Sequence, residues 1–145
     1  MPFDEDSNLI FVYGTLRRDF GNESNILERE GSFAGECFVR GRLFGLGPYS
    51  GLVLSESPDE TVRGDLFNIP PDKSAAVLDL LDRYEGCAPS DPQPHEYKRD
   101  LVNAFTKNGA SVKAWAYVLN RPVGDLEPIE SGDYLAWRAA REAAS

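Results

Sequence analysis

Strand-like stretches outnumber helix-like ones along this chain, and that ratio restricts the architectures open to it. Leu9-Ile10-Phe11-Val12-Tyr13 has the composition of a buried strand and stops at Gly14. From Ser32 to Gly45 apolar or small residues recur at alternate positions (Phe33, Cys37, Val39, Leu43), the pattern of two strands joined or bent at glycines. Gly47 to Gly51 reads as a loop, Leu52-Val53-Leu54 as a short strand and Thr61 to Ile69 as another. Tyr97 to Phe105 and Ser111 to Leu119 form a hairpin pattern about Lys107-Asn108-Gly109. Helical patterns are fewer. One runs from Asn22 to Glu30; a second from Lys73 to Glu85 is opened by Pro70-Pro71-Asp72 and stopped by Gly86; a third follows Ser131-Gly132-Asp133. The order predicts a mixed α+β fold with a strongly curved or barrel-like sheet. A chain of 145 residues is expected to form one domain, 1–145.

Charge and composition remove several functions. A net charge of −9 with no basic stripe argues against nucleic-acid partners. No apolar run is long enough to cross a bilayer, and the acidic start Met1-Pro2-Phe3-Asp4-Glu5-Asp6 lacks the features of a signal peptide, so a cytoplasmic location without membrane association is expected. Two cysteines and one histidine are too few for most metal sites, and no metal or other cofactor is expected. A Cys37–Cys87 disulfide would be unusual in that compartment. A Cys87–His95 nucleophilic pair would have to be held in or beside the proline-rich segment from Ala88 to Pro94, a poor place to keep two groups in hydrogen-bond reach.

Two features carry chemistry. Val12-Tyr13-Gly14-Thr15-Leu16-Arg17 joins a strand to a glycine turn, which exposes backbone N–H groups that can hold a carboxylate or an oxyanion; an ordinary turn is the alternative. The second feature is Glu85. Projected at 100° per residue, Val77, Leu78, Leu81 and Tyr84 share one side of the Lys73–Glu85 helix, with Asp79, Asp82 and Arg83 on the other. Glu85 falls in line with Leu78 on the apolar side. Burial and the negative end of the helix dipole would both raise its pKa toward that of a general base, unless fraying at Gly86 turns the side chain out to solvent. Arg17-Arg18 reads either as a steering pair for an acidic substrate or as solvated surface.

These residues together resemble the γ-glutamylcyclotransferase family, including its AIG2-like and γ-glutamylamine cyclotransferase branches. The resemblance runs through Val12 to Arg17, Gly47-Pro48-Tyr49-Ser50-Gly51-Leu52, Val62-Arg63-Gly64-Asp65-Leu66-Phe67, Leu81-Asp82-Arg83-Tyr84-Glu85-Gly86, Tyr97-Lys98-Arg99, Ala114-Trp115-Ala116-Tyr117 and Ile129 to Tyr134. Ser50 and Asp65 depart from the more usual proline and glutamate. The resemblance implies a mixed, partly closed β-barrel flanked by helices. It also implies the reaction: the α-amine of a γ-glutamyl group attacks its own γ-carbonyl, leaving 5-oxoproline and a free amine or amino acid, without a cofactor. By position, Glu85 is implied as the catalytic acid/base and Tyr13, Gly14, Thr15 and Leu16 as the substrate loop. Tyr117 matches a substrate-contacting tyrosine, and its strand neighbours make a core role equally open. The small-molecule partner would be a γ-glutamyl compound; the leaving group and oligomeric state are not legible. A non-catalytic small-molecule-binding or stress-related protein with the same pocket is the alternative.

Overall fold

The structure, a computed structural model, describes residues 8–14, 17, 26–46, 49–88, 91–93 and 95–144. In chain order the elements are β1 (Leu9–Val12), α1 (Ile26–Glu30), β2 (Ser32–Leu46), β3 (Tyr49–Leu54), β4 (Thr61–Asn68), α2 (Ser74–Tyr84), β5 (Tyr97–Thr106), β6 (Ser111–Leu119), β7 (Glu127–Pro128) and α3 (Tyr134–Ala144).

The sheet closes on itself. β1 pairs antiparallel with β4, β4 with β2 and β2 with β3, and the circuit returns through the parallel pairs β3–β6 and β6–β1. The two parallel seams are short, with Leu52 opposite Val118 and Ile10 opposite Trp115. A mixed, barrel-like α+β fold is therefore what the ratio of strands to helices predicted, because closure leaves few unpaired edges. The Tyr97–Leu119 hairpin also forms as read, with registers running from Tyr97↔Leu119 to Phe105↔Ser111.

Three boundaries differ from the sequence reading. The segment from Ser32 to Gly45, read as two strands joined or bent at glycines, is one fifteen-residue strand that changes partners; residues up to Arg40 pair with β4, and those from Gly41 pair with β3. β3 begins at Tyr49, inside the stretch read as a loop, because Tyr49 and Ser50 complete the ladder to Leu46 and Gly45. β7 carries no strand signal of its own: two residues suffice because Phe44 and Gly45 of β2 supply the template.

Period-two alternation places β1 between two layers of core. Phe11 and Tyr13 pack with Val39, Leu43, Leu52, Val62 and Tyr134, whereas Ile10 and Val12 pack with Leu27, Phe67, Ile69 and the α2 residues Val77 and Leu81. α2 thus covers one outer face of the barrel next to the end of β1. α3 starts where Asp133 Oδ1 accepts the Ala136 N–H at 3.2 Å, as its Ser-Gly-Asp lead predicted.

Arg17 corrects the reading of Arg17-Arg18 as surface or steering charge; Arg18 lies outside the described residues. The Arg17 side chain is buried, with its guanidinium 3.4 Å from Asp65 on β4 and 3.1 Å from Asp133 at the start of α3. Its backbone N–H donates to the Gly14 carbonyl at 3.0 Å. The glycine turn after β1 is consequently fastened to the barrel wall and to α3 by one side chain. Replacing a buried ion-pair partner strands the opposite charges in a low-dielectric setting, which costs about 3–5 kcal/mol. Arg17→Met is expected to lose stability on that scale in chemical denaturation, and Arg17→Met/Asp65→Leu is expected to recover part of it. A single variant as stable as the parent would show that the cluster holds nothing in place.

Candidate active site

The end of α2 is shaped by its sequence. Glu85 N–H closes the last helical bond to Leu81 O at 2.9 Å, Gly86 N–H reaches Arg83 O at 3.1 Å, and Cys87 N–H reaches Asp82 O at 2.8 Å. Gly86 has φ +73°, so the helix stops in the hydrogen-bond pattern that places glycine just past the last residue. Glu85 is the C-cap residue, with φ −85° and ψ −4°. This geometry decides between the two readings of Glu85. The helix does not fray at Gly86, and the carboxyl is carried half-buried into a cavity of about 290 Å³.

That cavity brings together Glu85 from α2, Val12, Tyr13 and Gly14 from the end of β1, Tyr49 and Ser50 from β3, and Tyr97 and Tyr117 from the β5–β6 hairpin, with Tyr84 and Glu96 also on its lining. Of the residues singled out in the sequence, Glu85, Tyr13, Gly14 and Tyr117 therefore share one space; Thr15 and Leu16 lie outside the described residues. Tyr117 is both core and lining, at 3% exposure. Gly14 is not at positive φ. A glycine fits there because a Cβ would stand 3.1 Å from Ser50 Oγ.

Burial pushes the Glu85 carboxyl up to about 7. The same electrostatic environment reaches the phenols: burial first, then the Glu85 charge, raises Tyr13 and Tyr97 above their ordinary range, so both stay neutral. Tyr13 Oη donates to the Tyr117 carbonyl at 2.5 Å and accepts the Leu52 N–H at 3.2 Å. Tyr97 Oη donates to the Ser50 carbonyl at 2.7 Å.

Asp82 was projected onto the polar side of the helix and is instead turned inward. Its position is only about 40° around the helix from Leu78, at the border of the apolar stripe. Arg99 Nε and Nη2 reach its two carboxylate oxygens at 2.9 and 3.2 Å, and the Tyr117 phenol donates to Oδ1 at 2.7 Å. Arg99 lies 4.7 Å from the Trp115 ring centroid. Tyr84, projected inward, is 52% exposed at the cavity rim. Asp82, Tyr97, Ser50 and Glu96 were not chosen as site residues. For Asp82 and Tyr97 the available signal was their presence in two of the motifs that carry the resemblance.

The cysteine alternatives fail on geometry and electrostatics. Cys37 and Cys87 are free thiols. Burial and then the Asp82 charge push the Cys87 thiol up to about 11, away from a reactive thiolate, and His95 Nε2 lies 3.2 Å from the Asp91 carbonyl. Among the described residues no group of three His, Cys, Asp or Glu is arranged to hold a metal ion, and no helix is long and apolar enough to cross a membrane.

Residues 10–136 match the family described as gamma-glutamyl cyclotransferase, AIG2-like. The chain belongs to that family. It is 36% identical over 128 residues to the gamma-glutamylcyclotransferase family protein YtfP of Escherichia coli K12, covering 87% of this chain and 95% of the relative. The solution structure of E. coli ytfP superposes with a TM-score of 0.60 at 34% identity, covering 90% of this chain and 98% of that one. A mouse AIG2-like protein shares the fold, with a TM-score of 0.66 at 24% identity and coverage of 85% and 86%. YkqA of Bacillus subtilis gives a TM-score of 0.69 at 21% identity; 94% of this chain lies within 42% of that longer one. In this member of the gamma-glutamyl cyclotransferase, AIG2-like family, Glu85 and Gly14 line one cavity.

A carboxyl whose folded pKa exceeds its unfolded one stabilises the fold at low pH, and loses that contribution as pH rises through the folded value. For Glu85 the window runs from about 4.5 to about 7. Glutamine carries no such ionisation. Glu85→Gln should therefore gain stability relative to the parent on going from pH 4.5 to pH 8, by at most about 3 kcal/mol. Denaturation curves at the two pH values measure this, and an unchanged difference between variant and parent would mean that Glu85 ionises as a solvent-exposed group.

Proposed function

We propose that this protein is a γ-glutamylcyclotransferase that converts a γ-glutamyl amine or γ-glutamyl amino acid to 5-oxoproline and the free amine. The observation that carries the reading is Glu85: a carboxyl with a pKa of about 7, set by burial, in the same cavity as the glycine turn. An α-ammonium has a pKa of about 8 and cannot attack until it loses a proton. A base only about one unit weaker takes that proton at little cost near neutral pH.

The step balances within the substrate and one side chain. The α-ammonium gives its proton to the Glu85 carboxylate, and the freed α-nitrogen forms a bond to the γ-carbonyl carbon. The ring nitrogen must lose a second proton as the bond from that carbon to the departing nitrogen breaks; Glu85 passes both protons in turn to the departing nitrogen, which leaves as an ammonium ion, and Glu85 ends as a carboxylate again. By position in the family's motif, Tyr13, Gly14, Thr15 and Leu16 hold the glutamyl end, a role that the backbone N–H groups of a glycine turn suit for a carboxylate or a developing oxyanion. Tyr117 contacts the substrate from the opposite wall. No covalent enzyme intermediate and no cofactor take part. The attack is intramolecular, so holding the chain folded supplies much of the acceleration.

The expected result of a mass-spectrometric screen against γ-glutamyl amino acids, glutathione and γ-glutamyl amines is release of 5-oxoproline from at least one of them. With that substrate, Glu85→Gln is expected to fold and to lose about 10²-fold or more in turnover. The parent's kcat/KM should rise with pH through about 7 as Glu85 gives up its proton. Tight binding of γ-glutamyl compounds that survive long incubation would favour a non-catalytic binding protein instead.

A further inference from the structure

Tyr117 faces two ways. Its ring lies on the cavity lining, while its hydroxyl donates to Asp82 Oδ1 at 2.7 Å, and neither Asp82 nor Arg99 belongs to that lining. The hydroxyl is spent behind the wall. Arg99 joins the same carboxylate, Nε to Oδ1 at 2.9 Å and Nη2 to Oδ2 at 3.2 Å. Arg99 and Tyr117 stand directly opposite each other in the β5–β6 register, so both side chains leave the hairpin on one face, the face that α2 covers. Three hydrogen bonds thus run from paired positions of the sheet to one residue of the helix.

The place they grip is the helix end. Val77 and Leu81 seat the body of α2 on the barrel by apolar burial. In the turn after Leu81, Arg83 pairs with Asp79 in solvent and Tyr84 is half exposed, while Asp82 turns to the hairpin. The Asp82 carbonyl receives the Cys87 N–H at 2.8 Å, and Glu85 lies inside the loop that this bond closes. An ionised glutamate here is drawn toward solvent, because burial and the negative end of the helix dipole both oppose its charge. Its seat has to be held by other groups.

We propose that Arg99 and Tyr117 are positioning residues for Glu85: through Asp82 they clasp the last turn of α2 to the hairpin, and so fix the depth and direction of the base in the cyclotransferase reading, on which this rests. The Tyr117 ring is left to meet the substrate, and its hydroxyl serves the base. Trp115 supports the clasp, with the Arg99 guanidinium 4.7 Å from its ring centroid.

The titratable groups that face Glu85 come from several elements. Burial first, then the Glu85 charge, holds the Tyr13 and Tyr97 phenols above their ordinary range, and burial with the Asp82 and Glu85 charges pushes the Cys87 thiol up to about 11. Glu96 lies 3.5 Å from Arg121, and Tyr49 and Tyr84 share the lining. Among the described residues no Lys, Arg or His lines the cavity.

Tyr117→Phe and Arg99→Lys test the clasp, because both leave every charge in place. The ionisation of Glu85 is followed in folded, substrate-free protein by the carboxyl NMR signals of isotopically labelled glutamate, assigned by the signal missing from Glu85→Gln. The parent midpoint is expected at about 7. In both variants it should fall by about half a unit or more, as water reaches the carboxylate. The rising limb of kcat/KM should move to lower pH by the same interval, with kcat down about tenfold and KM changed by less than about twofold. Asp82→Ala also removes a charge, so it serves only for additivity: adding Tyr117→Phe to it should change the midpoint little further. If Asp82→Ala fails to fold, the two charge-conserving variants decide the matter alone. A general loss of stability moves neither midpoint nor limb. Parental Glu85 titration in both variants would overturn the clasp, and so would a Tyr117→Phe protein whose only change is a raised KM, since the hydroxyl would then contact substrate. Lowered midpoints in variants of a parent that releases 5-oxoproline from no γ-glutamyl compound would leave the clasp standing and sink the cyclotransferase reading.

Discussion

A half-buried carboxylate on the last turn of α2 ties helix, sheet and cavity together. Asp82 gives up most of its hydration, at a position where the negative end of the helix dipole also opposes its charge. Such a group persists only if it is well hydrogen-bonded, and both of its oxygens are: Oδ1 accepts from Arg99 Nε and the Tyr117 phenol, and Oδ2 from Arg99 Nη2. The Arg99 guanidinium is itself held against Trp115, so the cation is fixed by the ring as well as by the carboxylate. The Asp82 backbone carbonyl accepts the Cys87 N–H at 2.8 Å, which locks the chain just beyond the helix. Side chain and main chain of one residue thus set where α2 ends, and where α2 ends is where Glu85 points.

Arg17 does the corresponding work on the opposite wall. It lies between Asp65 and Asp133 and pins the turn that follows β1. The two anchors have opposite polarity: an inward carboxylate met by a cation from the sheet, and an inward cation met by carboxylates from a strand and a helix start. Glu85 is treated differently from both. Desolvation accounts for its raised pKa, and among the described residues it has no ion-pair partner; burial of such an acid is what sets a base near neutrality. Asp82 and Glu85 are three residues apart on one helix. Their environments give one a structural role and leave the other with its proton affinity raised.

The parts of this arrangement that follow local rules were legible in the sequence. Strand alternation in β1, β4 and the Tyr97–Leu119 hairpin, the proline-led start and glycine stop of α2, and the inward phase of Glu85 depend on periodicity and on a few turn residues. What was hidden depends on partners distant in sequence. The unbroken course of β2 reflects the pairing of its two halves with β4 and β3, and β7 exists only because β2 offers a template. Arg17 looks like surface charge until Asp65 and Asp133 are brought to it from 48 and 116 residues away. Asp82 sits at the edge of the apolar stripe, where helical projection cannot choose a side; Arg99 and Tyr117 make the choice. Tyr97 reads as one more apolar strand residue, and its role depends on Ser50 across the barrel.

Those long-range contacts also bear on how a cavity with so few reactive groups would serve the proposed ring closure. The substrate would bring its own nucleophile and electrophile on one short chain, so the protein's task reduces to folding that chain and moving one proton. Effective molarities for well-oriented intramolecular attack reach about 10⁵ M or more, and they fall steeply when the reacting atoms are misplaced by an ångström. The demand is for rigid walls rather than for reactive side chains. A closed sheet satisfies it better than an open one: both walls of the cavity, the turn after β1 and the β5–β6 hairpin, belong to the same hydrogen-bonded circuit, joined directly through the Tyr13 phenol and the Tyr117 carbonyl. The helix that carries the base is the one part outside that circuit. It is the part that needed the Asp82 anchor.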